Sequence, residues 1–386
     1  MQNATENNVD SESEISLSDI VEFIQDSWKQ LIAAGIVGAA LGFGGWSFFG
    51  SYKTELILLN NTNTYGLDLV TWRTLQKSLP NLASQMLADE KLSSETRAMY
   101  RQMDDAAWWS KGVVPTYAIS KADVKDLASS KGLDGASTTI LALNIYTGGN
   151  SGDSAVNNAR LAAKFIKSGS AYLQVKSILN AYEGGDIGAA ADIQKEITTT
   201  EIEQAYLKDR VKSLDELYKR FPGNAGANQQ VVDPKDSGAK YLPLTTQIIA
   251  VNNDINQNKE SLIRLNDRLN QIALIKRFLV EASPLAETEL DGILLSRSLL
   301  GIEEKLRKGL PADDVKNRQA LDQLRSQLLT IEARFTKGLE ANTAPVTKKT
   351  GMLKATAGGL VGVGFLMLVF LLGRKVLRNL KKRESI

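Results

Sequence analysis

Two uncharged stretches lie near the two ends of this chain. The first runs from Gln30 to Tyr52, between Lys29 and Lys53, and the second from Ala355 to Gly373, between Lys354 and Arg374. A helix rises about 1.5 Å per residue, so ~19 residues cover the roughly 30 Å of a bilayer's hydrocarbon core. The pattern predicts a hairpin across a membrane, with the long polar middle of the chain held on one side by two feet. The tail after the second stretch, RKVLRNLKKRESI, carries six Lys or Arg. Basic residues close to a span stay on the cytoplasmic side. The segment before Lys29 holds seven acids and no base. Two spans put both ends on one side, so both termini are expected in the cytoplasm and positions 53–354 outside. A cleaved leader fits poorly, because the apolar stretch begins only at Gln30, behind an acidic segment. Trp46, Phe48, Phe49 and Tyr52 read as an aromatic belt at the outer interface.

The chain has no cysteine and no histidine. Cys/His metal sites, Cys–His nucleophile pairs and the Ser-His-Asp triad are excluded on that ground. A net charge of +2 over 386 residues speaks against nucleic acid as a partner. No catalytic, cofactor-binding or metal-ligating residue is assigned.

Before the first span, Ser16 or Ser18 is placed to cap a short amphipathic helix carrying Ile20, Val21, Ile24, Trp28 and Leu31. Beyond the span, Thr54–Leu59 reads as a strand. Positions 66–107 read as helical, and Gly112–Ser120 and Thr138–Thr147 as strands rich in β-branched and aromatic residues. Helices are predicted from Ala155 to about Tyr182, with Asp153 or Ser154 as cap, and from Ile187 to Phe221. Pro222–Pro243 reads as a loop. From Leu244 a heptad seam begins. Ile248, Ile255, Leu262 and Leu269 alternate with Val251, Leu265, Ile272 and Leu279, and Asn258 is the one polar member. A second seam carries Leu321, Leu324, Leu328, Ile331 and Phe335. Such seams pack on their own domain or build an extended helical arm, and both readings stand. Pro284, Gly292 and Pro311 punctuate the stretch between.

Three features suggest more specific chemistry. The turn Gly148-Gly149-Asn150-Ser151-Gly152 before a helix is of a kind that can hold phosphate, but it matches neither dinucleotide nor P-loop spacing. Asp104-Asp105 beside Trp108-Trp109 is reminiscent of a sugar-binding subsite, although adjacent acids on a helix diverge and Trp pairs usually pack. Gly38-x-x-x-Gly42 and Gly358-x-x-x-Gly362 are small-residue faces of the kind that let membrane helices approach closely, within or between subunits.

The layout resembles a known family. The segment Glu14-Ile15-Ser16-Leu17-Ser18-Asp19-Ile20-Val21-Glu22-Phe23-Ile24 with Trp28-Lys29 runs into a span, and a strand follows at once. A helix starts mid-chain at Ser154-Ala155-Val156-Asn157-Asn158, and a heptad helix, a second span and a basic tail come after it. This is similar to the Wzz-type chain-length determinants, the polysaccharide co-polymerases of Gram-negative inner membranes, in the class without a kinase domain. The resemblance is best over positions 1–60. The chain departs from the family before the second span, where Pro345 stands in place of several prolines.

The resemblance implies an α+β membrane protein in which two transmembrane helices flank a periplasmic α/β base with a long, coiled-coil-like helical protrusion. The expected segments are a cytoplasmic amphipathic stretch (1–29), a first span (30–52), the base and its helices (53–243), the heptad and returning helices (244–343), a linker (344–354), a second span (355–373) and a basic tail (374–386). It also implies a non-enzymatic, ring-like homo-oligomer. That scaffold sets chain length for an O-antigen-like glycan by acting on a membrane-embedded polymerase and its lipid-linked polysaccharide. Inter-subunit contacts are expected at Ile248, Val251, Ile255, Leu262, Leu265 and Leu269, and transmembrane partner contacts at Gly38, Gly42, Gly358 and Gly362. Other readings are an export component for capsule or exopolysaccharide, a periplasmic coiled-coil adaptor and an anchored glycan hydrolase.

Overall fold

The computed structural model describes residues 17–61, 65–88, 92–118, 139–222, 243–341 and 343–383. The capping site at Ser16, the loop over 223–242 and the end of the basic tail, 384–386, lie outside them. The described chain divides into two compact units.

The first unit holds residues up to Leu56, Ile145–Arg160 and the segment from Thr343 onward. Its largest elements are α1 (Leu17–Phe49) and the last helix, α9 (Met352–Arg383). Each contains a stretch apolar and long enough to cross a membrane, Val21–Phe49 and Met352–Leu377. Their side chains are mostly exposed, as a lipid-facing surface requires; Ile36, Leu41, Val361 and Phe365 are all more than half exposed. The amphipathic segment and the first span form one uninterrupted helix. β1 (Tyr52–Asn60) follows α1 almost at once. Its first half pairs antiparallel with β5 (Val346–Lys349), in a register that sets Tyr52 opposite Lys349, Lys53 opposite Lys348 and Thr54 opposite Thr347. The two threonine hydroxyls are 2.8 Å apart.

The second unit holds Ile57–Asn144 and Leu161–Asn342. Strands β2 (Val113–Tyr117), β3 (Ile140–Gly149), β1 and β4 (Leu339–Glu340) line up in the order β2-β3-β1-β4, the residues of β3 from Ile145 on and those of β1 up to Leu56 belonging to the first unit. Alternation along β1 buries Leu58 and Asn60 and leaves Leu59 exposed. Asn60 tolerates burial because its side chain is satisfied: its amide donates to the carbonyls of Leu67 and Ile140 and its carbonyl accepts from the Leu67 N–H. The helices α2 (Leu69–Leu87), α3 (Ser94–Asp104) and α4 (Ala106–Gly112) belong to the same unit and pack on one another. The stretch read as helical over 66–107 is thus three helices. Ser93 caps α3 and Asp105 caps α4, each accepting from a backbone N–H two or three residues on.

The helices α5 (Gly152–Arg220), α6 (Leu244–Thr288), α7 (Gly292–Lys308) and α8 (Val315–Ala333) complete the described fold. Two expectations fail on α5. Ser151 caps it, through Oγ to the Ser154 N–H at 3.1 Å, instead of Asp153 or Ser154. The break expected between Tyr182 and Ile187 is absent, and 69 residues form one helix. Gly184, Gly185 and Gly188 cost about 1 kcal/mol each in helix propensity but lack only side chains, not backbone hydrogen bonds, so a helix carries through them. Pro284 lies inside α6 and does not end it. The hydrogen bond it forfeits is to the carbonyl of Val280, a residue 70% exposed, where water can replace it. Gly292 opens α7 because only glycine fits there: a methyl group would overlap the backbone of Ala171 and Tyr172 on α5.

Candidate functional site

Three places merit consideration as sites: the paired apolar helices, the heptad seam, and the acidic–aromatic cluster around Asp105.

The glycines of α1 and α9 divide into two groups. A methyl group on Gly38 would collide with the Gly359 carbonyl and come within 2.8 Å of Val363 Cβ. One on Gly42 would collide with the Ala355 carbonyl and come within 3.1 Å of Thr356 Cα. One on Gly359 would meet the Gly38 carbonyl and lie 2.9 Å from Gly42 Cα. The helices therefore touch backbone to backbone along Gly38, Gly42 and Gly359. Gly358 and Gly362 have no atom within 4 Å of a built Cβ. Gly38 and Gly42 are occupied by contact within the chain, through a residue that the spacing had not singled out. Gly359 was legible only as the neighbour of Gly358.

Where these helices end, the belt residues behave differently from one another. Phe48 and Phe49 are 85% and 91% exposed. Trp46 is engaged: its indole N–H donates to the Thr350 carbonyl at 3.0 Å, and the Lys349 ammonium lies 5.3 Å from its ring centre and 5.1 Å from that of Tyr52. Lys349 also donates to the Ser47 carbonyl at 2.6 Å. The turn into α9 passes through Gly351 at φ +92, a left-handed conformation that favours glycine.

The heptad seam of α6 faces α5. Leu265 is buried with Ile193 and Ile197 of α5, and Leu262, Leu269 and Ile272 pack around them. Val251 is buried, and Ile248 and Ile255 are half-buried. Asn258 is not exposed, and its amide nitrogen has no hydrogen-bond partner among the described residues. A groove of about 480 Å³ beside the seam is lined by Glu183, Ala190, Ile272, Lys276 and Val280, among others. The second seam is fully internal: Leu321, Leu324, Leu328 and Phe335 are all buried. Between α7 and α8 the Glu303 carboxylate is wholly buried and accepts from Arg307 at 2.7 Å and Arg325 at 2.8 Å, while Arg307 also reaches Asp322.

The cluster around Asp105 is packing. Trp109 is buried, donates its indole N–H to the Met103 carbonyl at 2.6 Å and lies edge-on to Trp108 with ring centres 5.1 Å apart. Asp105 is occupied as the α4 cap. A sugar has no access to the Trp109 face. The glycine-rich turn is likewise tied internally: Asn158 donates to the Gly148 carbonyl, and a side chain at Gly149 would strike Ala155.

No family model matches the chain, and no curated protein matches it. Among solved structures, it is similar to a full-length bacterial polysaccharide co-polymerase over 94% of this chain and 99% of that one, at 11% identity and a TM-score of 0.37. The chain is an α+β protein with apolar, membrane-length helices near both ends, a small sheet and long helices between, and it fits a two-span membrane protein.

Proposed function

We propose that this chain regulates the length of a surface polysaccharide, as an oligomeric scaffold beside a membrane-embedded glycan polymerase. The observation that carries the reading is the direct pairing of α1 with α9. One hairpin brings both ends of the intervening α+β segment to a single membrane foot, which suits a scaffold standing on a bilayer. The sequence resemblance of positions 1–60 to the Wzz-type determinants supports it. In this reading the basic tail keeps both termini inside and positions 53–354 stand in the periplasm.

Copies would associate through the face of the α5/α6 pair that the intrachain seam leaves free. Ile249 and Ile263 are 67% and 51% exposed there, and Ile248 and Ile255 lie half-buried at the margin. The open glycine face at Gly358 and Gly362 would receive the polymerase. A repeated subunit then gathers polymerase and lipid-linked chains through many weak contacts. The O-antigen-like character of the glycan belongs to the same proposal.

The test is a gel ladder of surface polysaccharide from cells with and without the protein. A clustered length distribution that becomes random on deletion is the expected result. An unchanged ladder overturns the reading, and outright loss of surface polymer replaces length control with export.

A further inference from the structure

The register between β1 and β5 sets Lys53 directly opposite Lys348. Residues opposed in an antiparallel pair share one face with Cβ atoms about 5 Å apart, and like charges so placed repel. Both lysines are exposed, and neither forms an ion pair among the described residues. The nearest carboxylate by register is Glu55, two residues along β1 and opposite Val346. It accepts a 2.9 Å hydrogen bond from the Tyr146 hydroxyl and pairs with neither lysine. On the other face Lys349 shows what a satisfied lysine looks like at this level, with a carbonyl acceptor and two aromatic rings. The Lys53/Lys348 pair has no such compensation.

Its position explains the pairing. Lys53 stands just past Phe49, where α1 ends, and Lys348 just before Met352, where α9 begins. Two ammonium groups on one face, with Trp46 and Tyr52 at the same depth, lie where lipid phosphates lie. An anion bound between them turns the repulsion into attraction.

We infer that Lys53 and Lys348 form a clamp for a membrane-borne phosphate, supplied by the phosphodiester of a lipid headgroup or by the diphosphate of an isoprenoid-linked glycan carrier. The inference rests on α1 and α9 being membrane spans. It needs no covalent step, and each lysine contributes roughly fivefold to retention.

The test is native mass spectrometry of the full-length protein in an uncharged, phosphate-free detergent. Three probes are offered: phosphatidylglycerol, geranylgeranyl diphosphate and geranylgeraniol. The wild type is expected to retain a phosphorylated probe and not the alcohol. Lys53→Gln with Lys348→Gln is expected to lose retention roughly 25-fold at an unchanged melting temperature, and the paired Lys→Arg variant is expected to keep it. Preference for phosphatidylglycerol assigns the clamp to lipid headgroups, and preference for the diphosphate assigns it to a carrier. Equal retention by the Gln variant, equal retention of the alcohol, or no retention by the wild type overturns the clamp and leaves the lysines as protection for a strand edge. Carbonate extraction of membranes separates the premise from the inference. Release of the wild type into the supernatant sinks the span reading, whereas an anchored protein that retains no phosphorylated lipid sinks only the clamp.

Discussion

Gly38 of α1 and Gly359 of α9 meet backbone to backbone, and neither position has room for a single methyl group. Lipid tails are as apolar as side chains, so membrane helices gain little by burying apolar surface and associate through close packing instead. Small residues are therefore the contact itself. Gly358, the next position along the chain, points to open space.

Gly38→Val and Gly359→Val are expected to force the helices apart and destabilise the protein by about 1–3 kcal/mol. Gly358→Val and Gly362→Val are expected to leave the melting temperature in detergent unchanged. If the open face receives a polymerase, these two variants alter the polysaccharide ladder without altering stability. A stability loss at Gly358 equal to that at Gly38 would show that the helices pair differently.

Glu303 is wholly buried between Arg307 and Arg325. Arg325→Met leaves Glu303 the bond from Arg307, and Glu303→Ala leaves two arginines that still reach solvent or Asp322, so each is expected to cost about 1–3 kcal/mol. Replacing all three together with apolar residues of similar size is expected to cost much less than the sum. Thermal unfolding of the singles and the triple measures the coupling, and additive losses would refute it.

On the heptad seam, Leu265→Ala is expected to cost about 2–5 kcal/mol, because Leu265 fills a core shared with Ile193 and Ile197. Asn258→Leu is expected to stabilise by about 1–3 kcal/mol by removing an unpaired buried amide. Substituting Asp at Leu265 therefore damages the monomer and cannot report on assembly. Ile263→Asp is the cleaner probe, since Ile263 is exposed. It is expected to leave unfolding unchanged and to shift the mass measured by light scattering, and an unshifted mass would exclude this face from the oligomer.

Asp68 caps α2, accepting from the Thr71 N–H at 2.8 Å and the Thr71 hydroxyl at 2.6 Å. Partial burial pushes its pKa up, but the hydrogen bonds from Thr71 and the Val70 N–H outweigh this and hold the pKa below the ordinary 3.8. A depressed carboxylate stabilises the fold above its unfolded value, and that contribution disappears as pH falls through the folded one. Asp68→Ala is expected to cost about 1 kcal/mol near neutral pH and progressively less in acid below about pH 4. Urea midpoints of both proteins across that range check it, and a pH-independent difference would remove the charge from the account.

Several features were legible because they depend on local pattern. The two uncharged stretches, the strand at Thr54–Leu59 and both heptad seams follow from periodicity and charge, which need no partner to be read. The α5 break was misread for the same reason. Gly184, Gly185 and Gly188 lower helix propensity, but the backbone hydrogen bonds of a long helix persist across them. Packing of the Trp108-Trp109 pair is what such pairs usually do, but the sequence shows Trp109's neighbours in the chain and not those in space. Phe165, with its ring centre 6.2 Å away, belongs to a different helix far along the chain.

The sequence by itself determined that two apolar, membrane-length segments bracket a polar α+β chain, and that apolar stripes run along its later helices. Length, charge and period are properties of the chain in isolation. Only the tertiary structure decided which surface each stripe covers. It closed the α6 seam on α5, set Gly38 and Gly42 against Gly359 while leaving Gly358 and Gly362 open, and aligned Lys53 with Lys348. These depend on rotation and register between segments far apart in the chain. A rotation of one helical position exchanges one glycine for its neighbour, and a strand shift of one residue sends every side chain to the other face.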